Sequence, residues 1–254
     1  MEIREYGAQN EQKVLLLPGS ISHYSWYLPL VDLLQESWHV YLVLYDGYTE
    51  PYDSPFISTE DSCNKILDYC HQEGIEKFEL VYGLSMGGAI ASLIYLADQL
   101  SIDNLIIDGT AEIEKSTPFL TKLNIWRCLL GIKLVRKSKT IMKLAFPKER
   151  WLWPGENEAE HYAEVFDFIN QLSLETIDNS IITSLNLKLP DELPKNETRL
   201  FHIYGSREDR TNDWTKLYPS IKVREIPDCE HGELCIMKPH ELVDLIEDLI
   251  KSDS

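Results

Sequence analysis

Residues 78–88 read Phe-Glu-Leu-Val-Tyr-Gly-Leu-Ser-Met-Gly-Gly, an apolar strand-type run that breaks into a turn of small residues. Ile90 to Leu100 continues it as an apolar helix. Within the turn, Gly83-Leu84-Ser85-Met86-Gly87 has the form G-x-S-x-G, in the strand-to-helix setting that form requires. Such a turn strains the serine backbone and leaves no room for side chains beside it, so glycine at both flanks has a steric reason. Gly88 and Ala89 extend the small surface and let the helix approach the strand. The geometry makes Ser85 a candidate nucleophile and aims the backbone N–H of Met86 at charge developing on a carbonyl oxygen.

Outward from this turn, the strand signature recurs at Val14 to Leu17, Val40 to Leu44, Leu105 to Ile107, Leu200 to Tyr204 and Lys222 to Ile226. Short, continuous apolar runs of this kind are what strands covered on both faces of a parallel sheet look like. Helical spacing separates most of them, at Trp26 to Leu34, at Thr59 to Glu73 behind a Ser/Thr/Asp-rich start, and in the closing stretch His240 to Lys251. The alternation predicts an α/β fold with a doubly wound, mostly parallel sheet.

Residues 111–190 interrupt the rhythm with successive helical patterns and no convincing strand. They are read as an inserted helical cap, with 1–110 and 191–254 forming the core domain. Ser116-Thr117-Pro118 is a helix start. Phe119, Leu123, Trp126 and Leu130 mark an apolar face behind it, and Ile132, Val135 and Met142 lie on one side of an amphipathic helix. Between 111 and 150 stand ten Lys or Arg against three acids, a local +7 in a chain of net charge −18, which leaves −25 elsewhere. A basic segment would therefore sit over an acidic core; solvated lysines explain this, as does attraction of an anionic substrate or surface. Trp126, Phe146, Trp151 and Trp153 are expected to pack the cap onto its domain.

The strongly acidic balance argues against a nucleic-acid partner, which needs a basic face. No apolar run approaches the length of a membrane span and no leader pattern opens the chain, so a cytoplasmic protein is expected. Five scattered cysteines without a C-x-x-C pair suggest reduced thiols rather than a disulfide framework or a zinc site. No cofactor or metal is called for.

In its elbow and its alternation of strands and helices the sequence resembles the α/β-hydrolase superfamily, over nearly the whole chain outside the cap. The resemblance implies a base and an acid that follow the serine in chain order. His231 is placed accordingly, in the loop Asp228-Cys229-Glu230-His231-Gly232 after the last candidate strand. His202 lies inside a strand pattern and His240 in the first turn of a helix, where core or surface roles suit them better. The acid is expected after Leu200 to Tyr204, in Gly205-Ser206-Arg207-Glu208-Asp209. Glu208 stands at the family spacing, and Asp209 is the more usual residue type. Asp108, at the end of the strand Leu105 to Ile107, is a third candidate.

The second oxyanion donor should come from Leu17-Pro18-Gly19-Ser20-Ile21-Ser22, with Ser20 supplying the amide beside that of Met86. Pro18 stands where many relatives have histidine. Ser22, His23 and Trp26 are expected at the pocket mouth. Together these imply a serine hydrolase of carboxylesterase type, acting on a small-molecule acyl substrate through an acyl-enzyme. The same triad serves thioesters, lactones, amides or carbon–carbon bonds in this superfamily, and a chain that kept the fold without the reaction would be a binding protein.

Overall fold

The computed structural model describes residues 1–110, 118–145, 158–190, 192–194, 196–208 and 218–251. Its centre is a seven-stranded sheet built from β1 (Glu2–Tyr6), β2 (Lys13–Leu17), β3 (His39–Leu44), β4 (Lys77–Leu84), β5 (Ser101–Asp108), β6 (Arg199–Gly205) and β7 (Lys222–Ile226). The spatial order is β1-β3-β2-β4-β5-β6-β7. Only β1 runs antiparallel to its neighbour; the other pairs are parallel. All six expected strands are present. The extra one, β1, was hidden because Glu2, Arg4 and Glu5 make it a charged edge strand rather than an apolar run.

Both faces of the sheet are covered, which is why β2, β3 and β4 bury nearly every residue. The helices of the first half are α1 (Leu28–Leu34), α2 (Thr59–Gln72) and α3 (Met86–Ala97). A 3-10 turn at Tyr24–Tyr27 precedes α1 and replaces the expected helical start at Trp26. The side chain of Ser58 caps α2 by accepting from the Asp61 amide at 3.0 Å. Helix α3 begins at Met86, earlier than its apolar spacing suggests, because Gly87, Gly88 and Ala89 belong to its first turn.

Parallel pairing brings the strand ends to one edge. Leu17 stands opposite Gly83, Leu84 opposite Asp108, Asp108 opposite Ile203 and Gly205 opposite Ile226. Ligands of open α/β sheets bind along such carboxyl edges.

Between β5 and β6 lie α4 (Pro118–Val135), α5 (Lys139–Ala145), α6 (Glu158–Gln171) and α7 (Leu174–Leu185). The described residues of this stretch include no strand. Helices α6 and α7 meet the core: Trp26 Nε1 donates to Glu164 at 3.0 Å, the Phe56 amide donates to Thr176 Oγ1 at 3.2 Å and Asn179 donates to the Phe56 carbonyl at 2.9 Å. Helix α4 packs mainly on α5 and α7, and α5 on α6, which makes them an outer layer.

Val135 and Met142 are buried and Ile132 packs against the core cluster, as the spacing predicts. Leu123, Trp126 and Leu130 do not form a packed face; they are 39%, 59% and 41% exposed. The reason is that α4 is apolar on two sides, and the side carrying Leu129, Ile132 and Val135 is the one that turns inward. Ser116, Thr117, Phe146, Trp151 and Trp153 lie outside the described residues, as does the side chain of Phe119. The chain ends in α8 (Glu233–Met237), which no sequence pattern announced, and α9 (Pro239–Lys251), whose Leu242 and Ile246 are buried.

Candidate active site

Ser85 sits between β4 and α3 with φ 54° and ψ −112°, a conformation that costs on the order of 1–3 kcal/mol for a residue with a side chain. The surroundings hold it there. Its amide donates to the Asp108 carbonyl at 2.7 Å, and its carbonyl accepts from Thr110 Oγ1 at 2.8 Å. The flanking glycines are sterically enforced: a Cβ on Gly83 would lie 2.4 Å from the Gly87 carbonyl oxygen, and one on Gly87 would lie 1.9 Å from that of Leu17.

His231 reaches the same place from the far end of the chain, in the turn between β7 and α8. Gly109 marks the meeting point, because a Cβ there would stand 2.5 Å from His231 Nδ1 and 3.2 Å from Glu208 Oε1. The positive φ of 53° at Gly109 gives a second reason for glycine. Ser85 bonds residues 108 and 110 on either side of the glycine that the imidazole covers, so serine and histidine border one short turn. The Ser85 hydroxyl and His231 Nε2 have no hydrogen-bond partner among the described residues. Such bonds are often long before substrate closes the site.

Of the three candidate acids, Glu208 contacts the histidine. Its Oε2 lies 2.9 Å from His231 Nδ1, and its Oε1 accepts from the Gly205 amide at 2.9 Å. The Glu208 side chain is only 2% exposed, against 26% for His231. A buried carboxylate held by a backbone amide can fix the imidazole tautomer and stabilise the imidazolium. Asp209 lies outside the described residues. Asp108 is buried and its Oδ2 accepts from the Tyr82 hydroxyl. Burial and the neighbouring Asp108 charge push the Tyr82 phenol well above its usual range, so it stays a donor. Burial and the same carboxylate also raise the nearby Cys235 thiol.

The loop after β2 lies against the start of α3. A Cβ on Gly19 would be 3.5 Å from that of Ser85. Two of its amides are engaged: Gly19 donates to Tyr27 Oη at 2.8 Å, and Ile21 to Tyr48 Oη at 3.4 Å. The Ser20 amide between them has no acceptor among the described residues, nor does that of Met86, the first residue of α3, whose N–H faces outward from the helix start. Ser22 does not line a mouth. It is buried, donates to the Gly19 carbonyl at 2.7 Å and contacts Tyr27 Oη at 3.0 Å, because a short hydroxyl inside a tight loop finds backbone first. His23 sits edge-on to Phe168 of α6 at 5.3 Å, and Trp26 is buried; both join the core to the inserted helices.

A strained serine thus follows β4, and a histidine paired with a buried carboxylate stands over Gly109 in the turn that the serine backbone bonds. The family model described as "Alpha/beta hydrolase family" matches residues 14–245. This chain belongs to the alpha/beta hydrolase family. Solved structures similar to it include an esterase from Exiguobacterium antarcticum, at TM-score 0.76 and 19% identity, covering 98% of this chain and 94% of that one. A thermophilic esterase from Thermogutta terrifontis gives 0.74 and 17%, covering 99% and 93%. A structure from a study of carboxylesterases of Nitrososphaera gargenis gives 0.72 and 14%, covering 100% and 96%. At these identities the likeness is one of fold. No curated protein matches the sequence.

Membership in the alpha/beta hydrolase family supports a hydrolase working on a small molecule. Among the described residues no group of three or more His, Cys, Asp or Glu is arranged to hold a metal ion. No helix among them is long and apolar enough to cross a membrane. Tyr27, Tyr82 and Thr110 also hold the turns around Ser85, and no sequence motif marks Tyr27 or Thr110. For Tyr82 there was a signal, since a phenol inside a fully buried strand must find a polar partner.

Proposed function

We propose that this alpha/beta hydrolase is a serine hydrolase that cleaves a small carboxylic ester through an acyl-enzyme intermediate. Ser85 Oγ attacks the ester carbonyl while His231 Nε2 takes its proton, and Glu208 holds the imidazole through Nδ1. The amides of Met86 and Ser20 receive the oxyanion. Collapse expels the alcohol, which takes the proton back from His231. Water, deprotonated by the same imidazole, then releases the acid and restores the serine. Residues 111–190 act as a cap over the core of 1–110 and 191–254, with His23, Trp26, Glu164 and Phe168 at the join. The five cysteines form no disulfide among the described residues, which suits a reducing cytoplasm.

The observation that carries this reading is the contact between His231 Nδ1 and Glu208 beside the strained Ser85. A fluorophosphonate probe tests it: the folded wild-type protein is labelled and Ser85→Ala is not. Failure of the wild type to label would favour a binding protein on the same fold. A series of p-nitrophenyl esters of graded chain length then reports the acyl pocket.

A further inference from the structure

Helix α4 has an apolar stripe that is exposed among the described residues. At 100° per residue, Leu123, Trp126, Leu130 and Leu134 fall on one side of the helix, opposite Ile132 and Val135, which pack inward. All four outward residues are exposed, and Leu144 of α5 is exposed too. Stripes of this kind on a soluble surface mark an interaction site. Its charge setting tells what it meets. Residues 121–144 carry seven Lys or Arg and no Asp or Glu, within a chain of net charge −18. Part of that charge is spent inside the protein: Lys133 pairs with Asp178 at 3.3 Å, Lys139 with Asp167 at 3.7 Å, and Lys143 stands over the Tyr162 ring at 4.9 Å. Lys122 and Arg127 of α4, and Lys137 just after it, have no such partner among the described residues.

We infer that the outer face of α4 docks on an anionic lipid surface. Trp and Leu along one side of a helix, with cations at its margins, is the pattern of a helix that lies in a headgroup layer with its apolar residues dipped below it. A second copy of the chain is a poorer occupant, because two such faces brought together would oppose their cations. The inference does not depend on the ester chemistry. It adds a place of work, since α4 and α5 lie on the far side of α6 and α7 from the sheet.

Co-sedimentation with phosphatidylcholine vesicles, with and without phosphatidylglycerol, tests it on the full chain. Wild-type protein should pellet with the anionic vesicles, stay in solution with the neutral ones, and be released by salt. The triple variant Lys122→Glu, Arg127→Glu, Lys137→Glu should lose about a hundredfold in apparent affinity, since each basic residue near such a surface adds to the attraction. Trp126→Ser with Leu130→Ser should weaken binding to the anionic vesicles at low salt. These side chains are exposed, so unfolding temperature should stay near wild type and serves as the folding control. Ser85→Ala should pellet like wild type, which separates this result from any failure of the proposed chemistry. Wild type remaining in solution with both vesicles, or charge reversal without effect, overturns the inference. A concentration-dependent dimer in light scattering that Trp126→Ser abolishes would also overturn it, by giving the face to a second copy.

Discussion

The turns that follow β5 and β6 each put a buried carboxylate at the same edge of the sheet, and they use it differently. Asp108 ends β5 and accepts from Tyr82, a side chain of the neighbouring strand. Glu208 follows β6, is braced by the Gly205 amide and presents its other oxygen to His231. Burial is common to both, so burial does not choose the acid. What differs is the donor within reach: a phenol held neutral inside the sheet in one case, an imidazole at the solvent boundary in the other. The longer glutamate side chain can fold back on its own turn and still reach outward, which a side chain at the last position of a central strand cannot do.

The sharpest test starts from the serine bonded to the end of β5. Ser85→Ala should lower ester turnover by about 10⁴-fold or more while circular dichroism stays native. The contrast itself is read by a pair of substitutions. Glu208→Gln should cost roughly 10²- to 10⁴-fold in kcat and leave the denaturation midpoint almost unchanged. Asp108→Asn should keep kcat within about tenfold and instead lower stability by about 1–3 kcal/mol, as expected when a buried hydrogen bond to a charged group is altered. Equal losses of turnover from the two changes would break the comparison and return Asp108 to candidacy. Gly109→Ala places a methyl against the imidazole at a positive φ, and displacement of that size should reduce kcat by about 10- to 100-fold with KM little altered. Smallest of all, Tyr82→Phe leaves the Asp108 carboxylate without its phenol; thermal unfolding should report about 1–3 kcal/mol, with turnover changed less than about threefold.

The tight turn around Ser85 was legible in the sequence. G-x-S-x-G in strand-to-helix context is a steric statement, and the structure gives its cause in the 2.4 Å and 1.9 Å approaches at Gly83 and Gly87. The choice between Glu208 and its neighbours was not legible, because it depends on how a turn closes in space. Register alone leaves Asp108 and Glu208 at one edge. Ser22 differs from expectation for a related reason: a hydroxyl in a loop near Ser85 suggests a lining group, yet the loop consumes it. Edge strand β1 escaped because its charges mask the alternation, and α4 misled because a helix with two apolar sides gives no periodic sign of which one is inward.

Ser85 follows β4 and His231 lies beyond β7, and the link between them runs through the pairing of β5 with β6 across the intervening helices. That pairing closes the longest loop in the sheet, the kind of contact whose entropy makes it form late. Turnover therefore reports completion of the whole sheet: in refolding, helical signal should return first, and catalytic competence should wait for the two halves to join.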